Sequence, residues 1–313
     1  MPFLLSRYIA FIIAIPVLAV FFLSGNGGRF SWRDSVLAAP TPGRVATVNY
    51  PQRNFPERRN DSQPRIVGRA AGVYDIASGY RLWERDAGKS LPIASLTKLM
   101  AALVFIEHNP GWQTRYVVRA ADHRSGARDN LQPGDNVTIR ELFRTALIAS
   151  DNSAVMSLVR ASGLSEREFV TAMNAKADTL RLKQTTFSDP TGLDNGNRST
   201  PGDISRLAAA ALSQADIREA VLRPAYSFAT EQGSVKDIRA TDKLLDRPLP
   251  AGVRLVGGKT GHIDEAGYCF VGLFEKDGRQ VLTVVLGADS DEARFSETEK
   301  LVDWAYRTFF WRN

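Results

Sequence analysis

Cysteine and histidine are both scarce in this sequence. Cys269 is the single cysteine among 313 residues, so an intramolecular disulfide and a cysteine-based metal site are excluded. Because Cys269 lies in an apolar run, we expect its thiol to be buried in the core. The three histidines, at positions 108, 123 and 262, are far apart and show no metal-ligand spacing. The sequence therefore offers no candidate metal site.

Lysine is absent from the first 70 residues. This stretch holds nine arginines and three acidic residues, a net charge of +6 that equals the net charge of the whole chain. The basic character therefore belongs to the N-terminal arm, and the rest of the chain is balanced. A basic arm beside an apolar segment favours an anionic membrane surface over nucleic acid as its partner. A soluble arm without regular structure fits the same composition.

Long hydrophobic runs are missing except near the N-terminus, where residues 8–23 are uncharged and almost wholly apolar. A signal-peptide core usually has roughly 7–15 apolar residues and a membrane span about 20, so residues 1–23 fit a signal peptide or a membrane anchor. Val36-Leu37-Ala38 resembles a cleavage site but lies 15 residues past Leu23, which favours an uncleaved anchor. Residues 24–68 are rich in proline, arginine and asparagine and are predicted to be a linker.

The remaining residues, 69–313, show the periodic patterns of one folded domain. Strand patterns lie at both ends of this stretch and helix patterns lie between them, which predicts an α+β fold. We expect the strands from both chain ends to share one antiparallel sheet, packed with a helical cluster. Strands are predicted at 71–75, 80–84, 253–256, 268–275 and 281–287, and helices at 95–108, 138–149, 165–180, 204–212 and 297–310.

Two of these boundaries have specific signals. Ser165 with Glu168 is a capping box that opens a helix. Asp277-Gly278 between two apolar runs predicts a tight hairpin.

Three short motifs carry the candidate chemistry, and each falls where an element begins or ends. They are Ser95-Leu96-Thr97-Lys98 at a helix start, Ser150-Asp151-Asn152 between two helices, and Lys259-Thr260-Gly261 at a strand end. Each alone is weak evidence, because such triplets also occur as ordinary helix turns, caps and strand ends. All three in this order, on these elements, would be a rare accident.

The first motif can activate a nucleophile. A serine hydroxyl needs a nearby base, and residues three apart on a helix share a face, so the Lys98 amine can reach Ser95. A lysine base must be neutral, which burial or a second cation such as Lys259 would favour. Backbone N–H groups at a helix start also favour a developing oxyanion near Ser95.

This motif set is typical of penicillin-binding proteins and class A β-lactamases. Over roughly residues 70–310 the chain resembles the D-alanyl-D-alanine carboxypeptidase family of low-molecular-mass penicillin-binding proteins. A Glu-x-x-Leu-Asn segment, which class A β-lactamases use to hold a deacylating water, is not found. The resemblance extends beyond the motifs to residues 92–100, 172–177, 186–193, 258–262 and 266–269.

The resemblance implies a β-lactamase/penicillin-binding-like fold and a role for each motif residue. Ser95 would be the acylated nucleophile, Lys98 its general base, and Ser150 a proton relay to the leaving amine. Substrate binding would fall to the set Asn152, Lys259, Thr260, Gly261 and His262: Asn152 would hold the peptide carbonyl, Lys259 and Thr260 the terminal carboxylate, and the N–H groups of Ser95 and His262 the oxyanion.

The implied partners are peptidoglycan peptides ending in D-Ala-D-Ala and, as covalent inhibitors, β-lactam antibiotics. No cofactor, metal or nucleic acid is implied. The N-terminal segment would contact the membrane, and the protein would be exported to the periplasm or the extracytoplasmic face of the inner membrane.

The chain departs from the family at two places. Arg181 stands where members commonly have glycine, which would strain a left-handed backbone there. Many relatives also carry a C-terminal β-rich domain and an amphipathic anchor, whereas here the chain ends soon after the closing helix. We expect the terminal aromatics, residues 309–311, to pack on the sheet rather than touch a membrane.

Three other functions share the same fold and site. The closest is a DD-endopeptidase that cuts peptidoglycan crosslinks. A membrane-tethered penicillin sensor and a β-lactamase are weaker alternatives, and the hydrolysis rate of a Ser95 acyl-enzyme would distinguish both from a peptidase.

Overall fold

The computed structural model describes residues 55–60, 62–124 and 130–312. The apolar segment 8–23 and most of the predicted linker lie outside these residues. The described strands are β1 (Glu57–Arg58), β2 (Ala70–Asp75), β3 (Arg81–Arg85), β4 (Leu91–Pro92), β5 (Arg115–Val117), β6 (Asn136–Thr138), β7 (Arg198–Ser199), β8 (Ala225–Ala229), β9 (Val235–Arg239), β10 (Arg254–Ile263), β11 (Gly267–Lys276), β12 (Arg279–Ala288) and β13 (Phe309–Phe310).

The described helices include a central one, α1, which is buried along almost its whole length. It is apolar on every side, as expected for a helix enclosed by others. The α-helices are α1 (Thr97–Glu107), α2 (Ile139–Ile148), α3 (Asn152–Ala161), α4 (Glu166–Thr179), α5 (Pro201–Ser213), α6 (Ala215–Val221) and α7 (Asp291–Thr308).

The main sheet is antiparallel and has the strand order β10-β11-β12-β2-β3. Strand β2, from the start of the domain, lies between β12 and β3, with Val281 opposite Asp75. The predicted hairpin joins β11 to β12, and both Asp277 and Gly278 have positive φ, as a tight hairpin turn requires. The predicted α+β fold, with one sheet built from both ends of the domain, is confirmed.

Both faces of this sheet are covered. Val281 and Val285 of β12 belong to an apolar cluster with Leu301 of α7. Leu282 and Val284, which alternate with them, pack with the cluster of helices on the other face. Each side chain of this size contributes about 1.5–3 kcal/mol when fully buried. Burial on both faces explains the unbroken apolar runs in the sequence.

Local signals place several helix ends correctly. The capping box of α4 is present, with the Glu168 N–H donating to Ser165 Oγ at 3.3 Å. Cys269 is buried, as predicted. Arg181 has φ of 57°, so it does occupy a left-handed position.

The N-terminal arm joins the body earlier than residue 69. Strand β1, inside the predicted linker, pairs with β13, and the N–H groups of Val67 and Gly68 donate to the Glu297 carboxylate. At the other end of the chain, Phe309 is buried whereas Phe310 is 42% exposed. Within the described residues, no helix has the length and apolar character that crossing a membrane requires.

Candidate active site

Ser95 lies on a strained turn immediately before α1. The preceding Ala94 has φ of 47°, an uncommon value for a residue with a side chain, and starts the 3-10 helix Ala94–Leu96. A Cβ on Gly192 would lie 2.1 Å from the Ala94 carbonyl oxygen. Only glycine therefore fits at 192, and its close approach supports the turn that carries Ser95.

Lys98 is one helical turn further along and is 1% exposed. Its Nζ donates to Ser95 Oγ at 2.8 Å, to Asn152 Oδ1 at 2.6 Å and to the Thr191 carbonyl at 2.7 Å. Burial lowers the pKa of Lys98 to about 7, against the opposite influence of Asp189 and Asp151. A large fraction of Lys98 is thus neutral near neutral pH and can accept a proton from Ser95.

The second motif is held by the cap of α3. Asp151 is the N-cap residue, accepting the Ala154 N–H at 2.8 Å, and its other oxygen accepts from the Asn130 side chain at 2.8 Å. Burial raises the pKa of Asp151, while these hydrogen bonds oppose that rise. Ser150 before it has φ of 59°. The buried cap thereby fixes Ser150 and Asn152 on either side of it.

Strand β10 brings the third motif against the other two. Lys259 Nζ donates to Ser150 Oγ at 2.8 Å and to the Thr260 carbonyl at 2.9 Å. Lys259 is 2% exposed, and burial, with added repulsion from Lys98 and Arg294, holds its pKa well below the usual range. The Thr260 hydroxyl lies 2.5 Å from that of Thr241.

Near its C-terminal end, β10 packs closely against the backbone at Ser95. A Cβ on Gly261 would lie 2.9 Å from the Ile93 carbonyl oxygen and 3.1 Å from the Ser95 nitrogen. His262 is exposed, and its ring stacks on Tyr268 with centroids 4.0 Å apart. A cavity of about 180 Å³ lies between these motifs, and its lining includes Ser95, Ser150, Asn152, Thr260, Gly261 and His262. The structure thus brings together all the residues that the sequence singled out.

Several residues at the site were missed by the sequence reasoning. Arg294 on α7 lines the cavity and donates to the Gly261 carbonyl at 3.0 Å, and Thr241 lines it beside Thr260. Both belong to segments without a recognisable motif. Asp189 accepts the Gly192 N–H at 3.0 Å, and Asn197 donates to Asp189 at 2.6 Å, which holds the loop carrying Thr191. This loop includes residues 186–193, which resemble the family, and that resemblance was the sequence signal that could have identified these residues.

In the part of the chain that the structure describes, no cluster of three or more histidine, cysteine, aspartate or glutamate side chains could hold a metal ion. The motif residues at the site supply three hydroxyls (Ser95, Ser150 and Thr260), two buried amines and a side-chain amide. Such a set supports nucleophilic acyl transfer.

Comparisons with known proteins find similar sequences over most of the folded part of the chain. A family model described as D-alanyl-D-alanine carboxypeptidase matches residues 57–290. A D-alanyl-D-alanine endopeptidase of Haemophilus influenzae is 37% identical over 64% of this chain and 68% of its own length. The carboxypeptidase DacF of Bacillus subtilis is 29% identical over 77% of this chain and 62% of its own length.

Two solved structures have the same fold. The DD-transpeptidase of Streptomyces K15 has a TM-score of 0.72 and 26% identity, covering 79% of this chain and all of that one. Penicillin-binding protein D2 of Listeria monocytogenes, solved in its ampicillin-bound form, has a TM-score of 0.67 and 31% identity, covering 77% of this chain and 98% of that one.

Proposed function

Since this chain belongs to the D-alanyl-D-alanine carboxypeptidase family, we propose that it removes the terminal D-alanine from peptidoglycan stem peptides through an acyl-enzyme on Ser95. The observation that carries the proposal is the contact between Ser95 Oγ and the buried amine of Lys98 at 2.8 Å. A serine beside a lysine with a pKa near 7 is an activated nucleophile at neutral pH.

In the acylation step, neutral Lys98 takes the hydroxyl proton of Ser95 while the Ser95 oxygen attacks the carbonyl carbon of the penultimate D-alanine. The tetrahedral intermediate collapses, the peptide C–N bond breaks, and the proton taken by Lys98 passes through Ser150 to the leaving amine. Water then attacks the ester while neutral Lys98 accepts a proton from it. The ester C–O bond breaks as Lys98 returns this proton to Ser95 Oγ, which releases the shortened peptide. The contact of Ser150 Oγ with the Lys259 ammonium supports this relay, because the hydrogen bond orients the hydroxyl.

The remaining motif residues bind the substrate. Asn152 uses its oxygen to accept from Lys98, so its amide N–H groups are available for the substrate carbonyl. Lys259 and Thr260 bind the terminal carboxylate by charge-assisted hydrogen bonds. The N–H groups of Ser95 and His262 stabilise the oxyanion, an assignment supported by the close approach of Gly261 to the Ser95 nitrogen.

A DD-endopeptidase is the second candidate. The relative that is 37% identical over 204 residues carries that name. Both activities cleave a bond on the carboxyl side of a D-alanine, and they differ in whether the leaving amine belongs to free D-alanine or to a second stem.

We propose that β-lactams inhibit this chain by acylating Ser95, and the ampicillin-bound form of a relative supports binding of such compounds. We infer further that residues 8–23 hold the protein at the extracytoplasmic face of a membrane, where its cell-wall substrate lies. The basic arm that contains this segment supports the inference.

Mass analysis of purified muropeptides after incubation with the protein tests the proposal. Monomeric pentapeptides should lose one D-alanine, whereas cleavage of crosslinked dimers instead would favour the endopeptidase. Ser95→Ala should abolish both hydrolysis and covalent labelling by penicillin. Ser213→Ala, which changes an exposed serine on α5, is the matched control and should keep both. Persistent labelling of Ser95→Ala would refute Ser95 as the nucleophile.

A further inference from the structure

Asp242 is a buried carboxylate beside the strand that carries Lys259. It precedes the 3-10 helix Lys243–Asp246 and is 6% exposed. Its Oδ1 accepts the Leu244 N–H at 2.9 Å. Its Oδ2 is buried and has no hydrogen-bond partner among the residues that the structure describes. A buried carboxylate oxygen in that state is costly unless a cation lies close to it.

The unpartnered oxygen lies against the backbone of β10. A Cβ on Gly258 would be 2.5 Å from Oδ2 of Asp242. The glycine therefore permits the carboxylate to approach the strand at the residue that directly precedes Lys259.

Three cations, each from a different segment, act electrostatically to lower the pKa of this carboxylate against the effect of burial: Lys259 of β10, Arg294 of α7 and Arg247 after the 3-10 helix. Two of them have other acidic partners. Arg247 contacts the Glu292 carboxylate at 2.5 and 2.7 Å, and Arg294 is paired with Asp291.

Lys259 differs from both arginines. Its Nζ contacts only neutral oxygens, those of Ser150 and Thr260, and among the described residues it forms no ion pair. Asp242 is therefore the negative charge that remains to support the Lys259 ammonium.

The direction of each influence agrees with this geometry. Burial and the repulsion from Lys98 and Arg294 lower the pKa of Lys259, and Asp242 is the group that raises it. Burial raises the pKa of Asp242 itself to about 6, so its carboxylate is charged above that pH. Without this charge, Lys259 would lose its proton more readily and would bind an anionic group less well.

We propose that Asp242 is a positioning residue that keeps Lys259 protonated and thereby fits the cleft to substrates ending in a free carboxylate. The inference rests on the proposed function, because it takes Lys259 as the group that receives the substrate carboxylate. Asp242 touches no substrate atom and acts through Lys259 alone.

A pair of substrates isolates this effect. One is a D-alanyl thioester whose leaving group ends in a carboxylate, and the other is the same thioester with that carboxylate methylated. Both report acylation of the same serine, so the ratio of their kcat/KM values cancels any shared effect on Lys98. The ratio measures carboxylate selectivity, and it is followed as a function of pH.

Asp242→Asn should lower this ratio about tenfold at and above neutral pH, because Lys259 then loses its proton more readily. Lowering the pH should restore the ratio, because Lys259 regains its proton. Asparagine keeps the cap on Leu244, so the backbone should be retained. Asp246→Asn removes a carboxylate from an exposed position four residues away and should leave the ratio unchanged.

Labelling with saturating fluorescent penicillin gives the concentration of active sites that can be acylated. Rates are divided by this concentration, so that they refer to folded protein. If Asp242→Asn does not fold, Asp242→Ser keeps a capping side chain without the charge and serves the same test. An unchanged ratio, or a loss that low pH does not reverse, would overturn the inference and leave Asp242 a structural cap. If the wild-type protein cleaved neither thioester, the proposed function would fail and the inference with it.

Discussion

Lys98 and Lys259 are two buried amines that serve one small cleft, and their charges have to differ for the chemistry to work. Lys98 has to be neutral to take a proton, whereas Lys259 has to be charged to bind a carboxylate. Burial is the first cause of the lowered pKa for both residues. Repulsion from Lys98 is the second cause for Lys259, and we expect the charge of Lys259 to act on Lys98 in return.

Lys259→Gln tests this coupling. Acylation by an uncharged ester should rise with pH around 7 in the wild-type protein, as Lys98 loses its proton. Removing the Lys259 charge should let Lys98 hold its proton to higher pH, so this rising limb should move upward. Hydrolysis of the D-Ala-D-Ala peptide should fall by roughly tenfold or more, because a charge-assisted hydrogen bond is lost.

Lys276→Gln, at the β11–β12 hairpin, is the matched control and should change neither measurement. If the ester profile keeps its position while peptide hydrolysis collapses, Lys259 is a carboxylate-binding group alone. Burial by itself would then account for the lowered pKa of Lys98.

At the scale of elements, the motifs depend on caps and turns more than on the helices and strands themselves. Ser95 precedes α1, Ser150 precedes α3, and Lys259 lies within β10. Positive φ values at Ala94 and Ser150 show that the backbone is strained just before α1 and just before α3. We therefore expect the buried cap Asp151 to stabilise α3 and also to position Ser150 and Asn152.

A comparison of Asp151→Ala with Ser165→Ala should separate the effect of the cap on stability from its effect on acylation. Each change removes an N-cap hydrogen bond and should lower the free energy of unfolding, by about 1 kcal/mol for Ser165→Ala and by more for buried Asp151. Denaturant unfolding measures this loss. Only Asp151→Ala should also slow penicillin acylation, by about tenfold or more, because Ser150 and Asn152 lose their support. Equal acylation rates in the two variants would contradict that role.

The sequence predicted elements that carry strong local signals. The capping box at Ser165 specifies the start of α4, and Asp277-Gly278 specifies the turn between β11 and β12. In α1, apolar residues repeat at helical spacing without a break. The hairpin of β8 and β9 was not predicted, because both strands are short and Ile238 is the one buried residue in them. Strand β10 was predicted only at 253–256, since the glycines at its centre break the apolar pattern.

Local sequence signals also decide which residues of the site could be predicted. The three motifs identified Ser95, Lys98, Ser150 and Lys259. In the structure Lys98 contacts Ser95, and Lys259 contacts Ser150. Arg294 and Asp242 were not foreseen, because each reaches the site from a segment whose local pattern carries no chemistry. Their roles depend on burial and on neighbours distant in sequence, which only the packed fold reveals.

At the scale of the whole molecule, we propose separate roles for the basic N-terminal arm and the folded body. We expect the full chain to sediment with membranes, and residues 55–313, which keep β1, to remain soluble and to label with penicillin. Leu18→Asp in the full chain places a charge in the apolar segment and should release the protein, because a charge is costly in a bilayer.

A charge reversal in the arm that leaves the segment apolar, Arg44→Glu, is the control and should retain most of the binding. If residues 55–313 also sediment with membranes, the C-terminal aromatic residues near the exposed Phe310 are the anchor instead.

The central place of β2 between β12 and β3 has a consequence for the order in which the protein is made. A ribosome that has produced β2 and β3 still has to translate some two hundred residues before β12 appears to pair with them. Pairing across such a separation is entropically slow, so we expect the main sheet to stay incomplete until β12 has been made. A polypeptide whose sheet is completed late can still pass through a narrow translocation channel, which would suit the export that we propose.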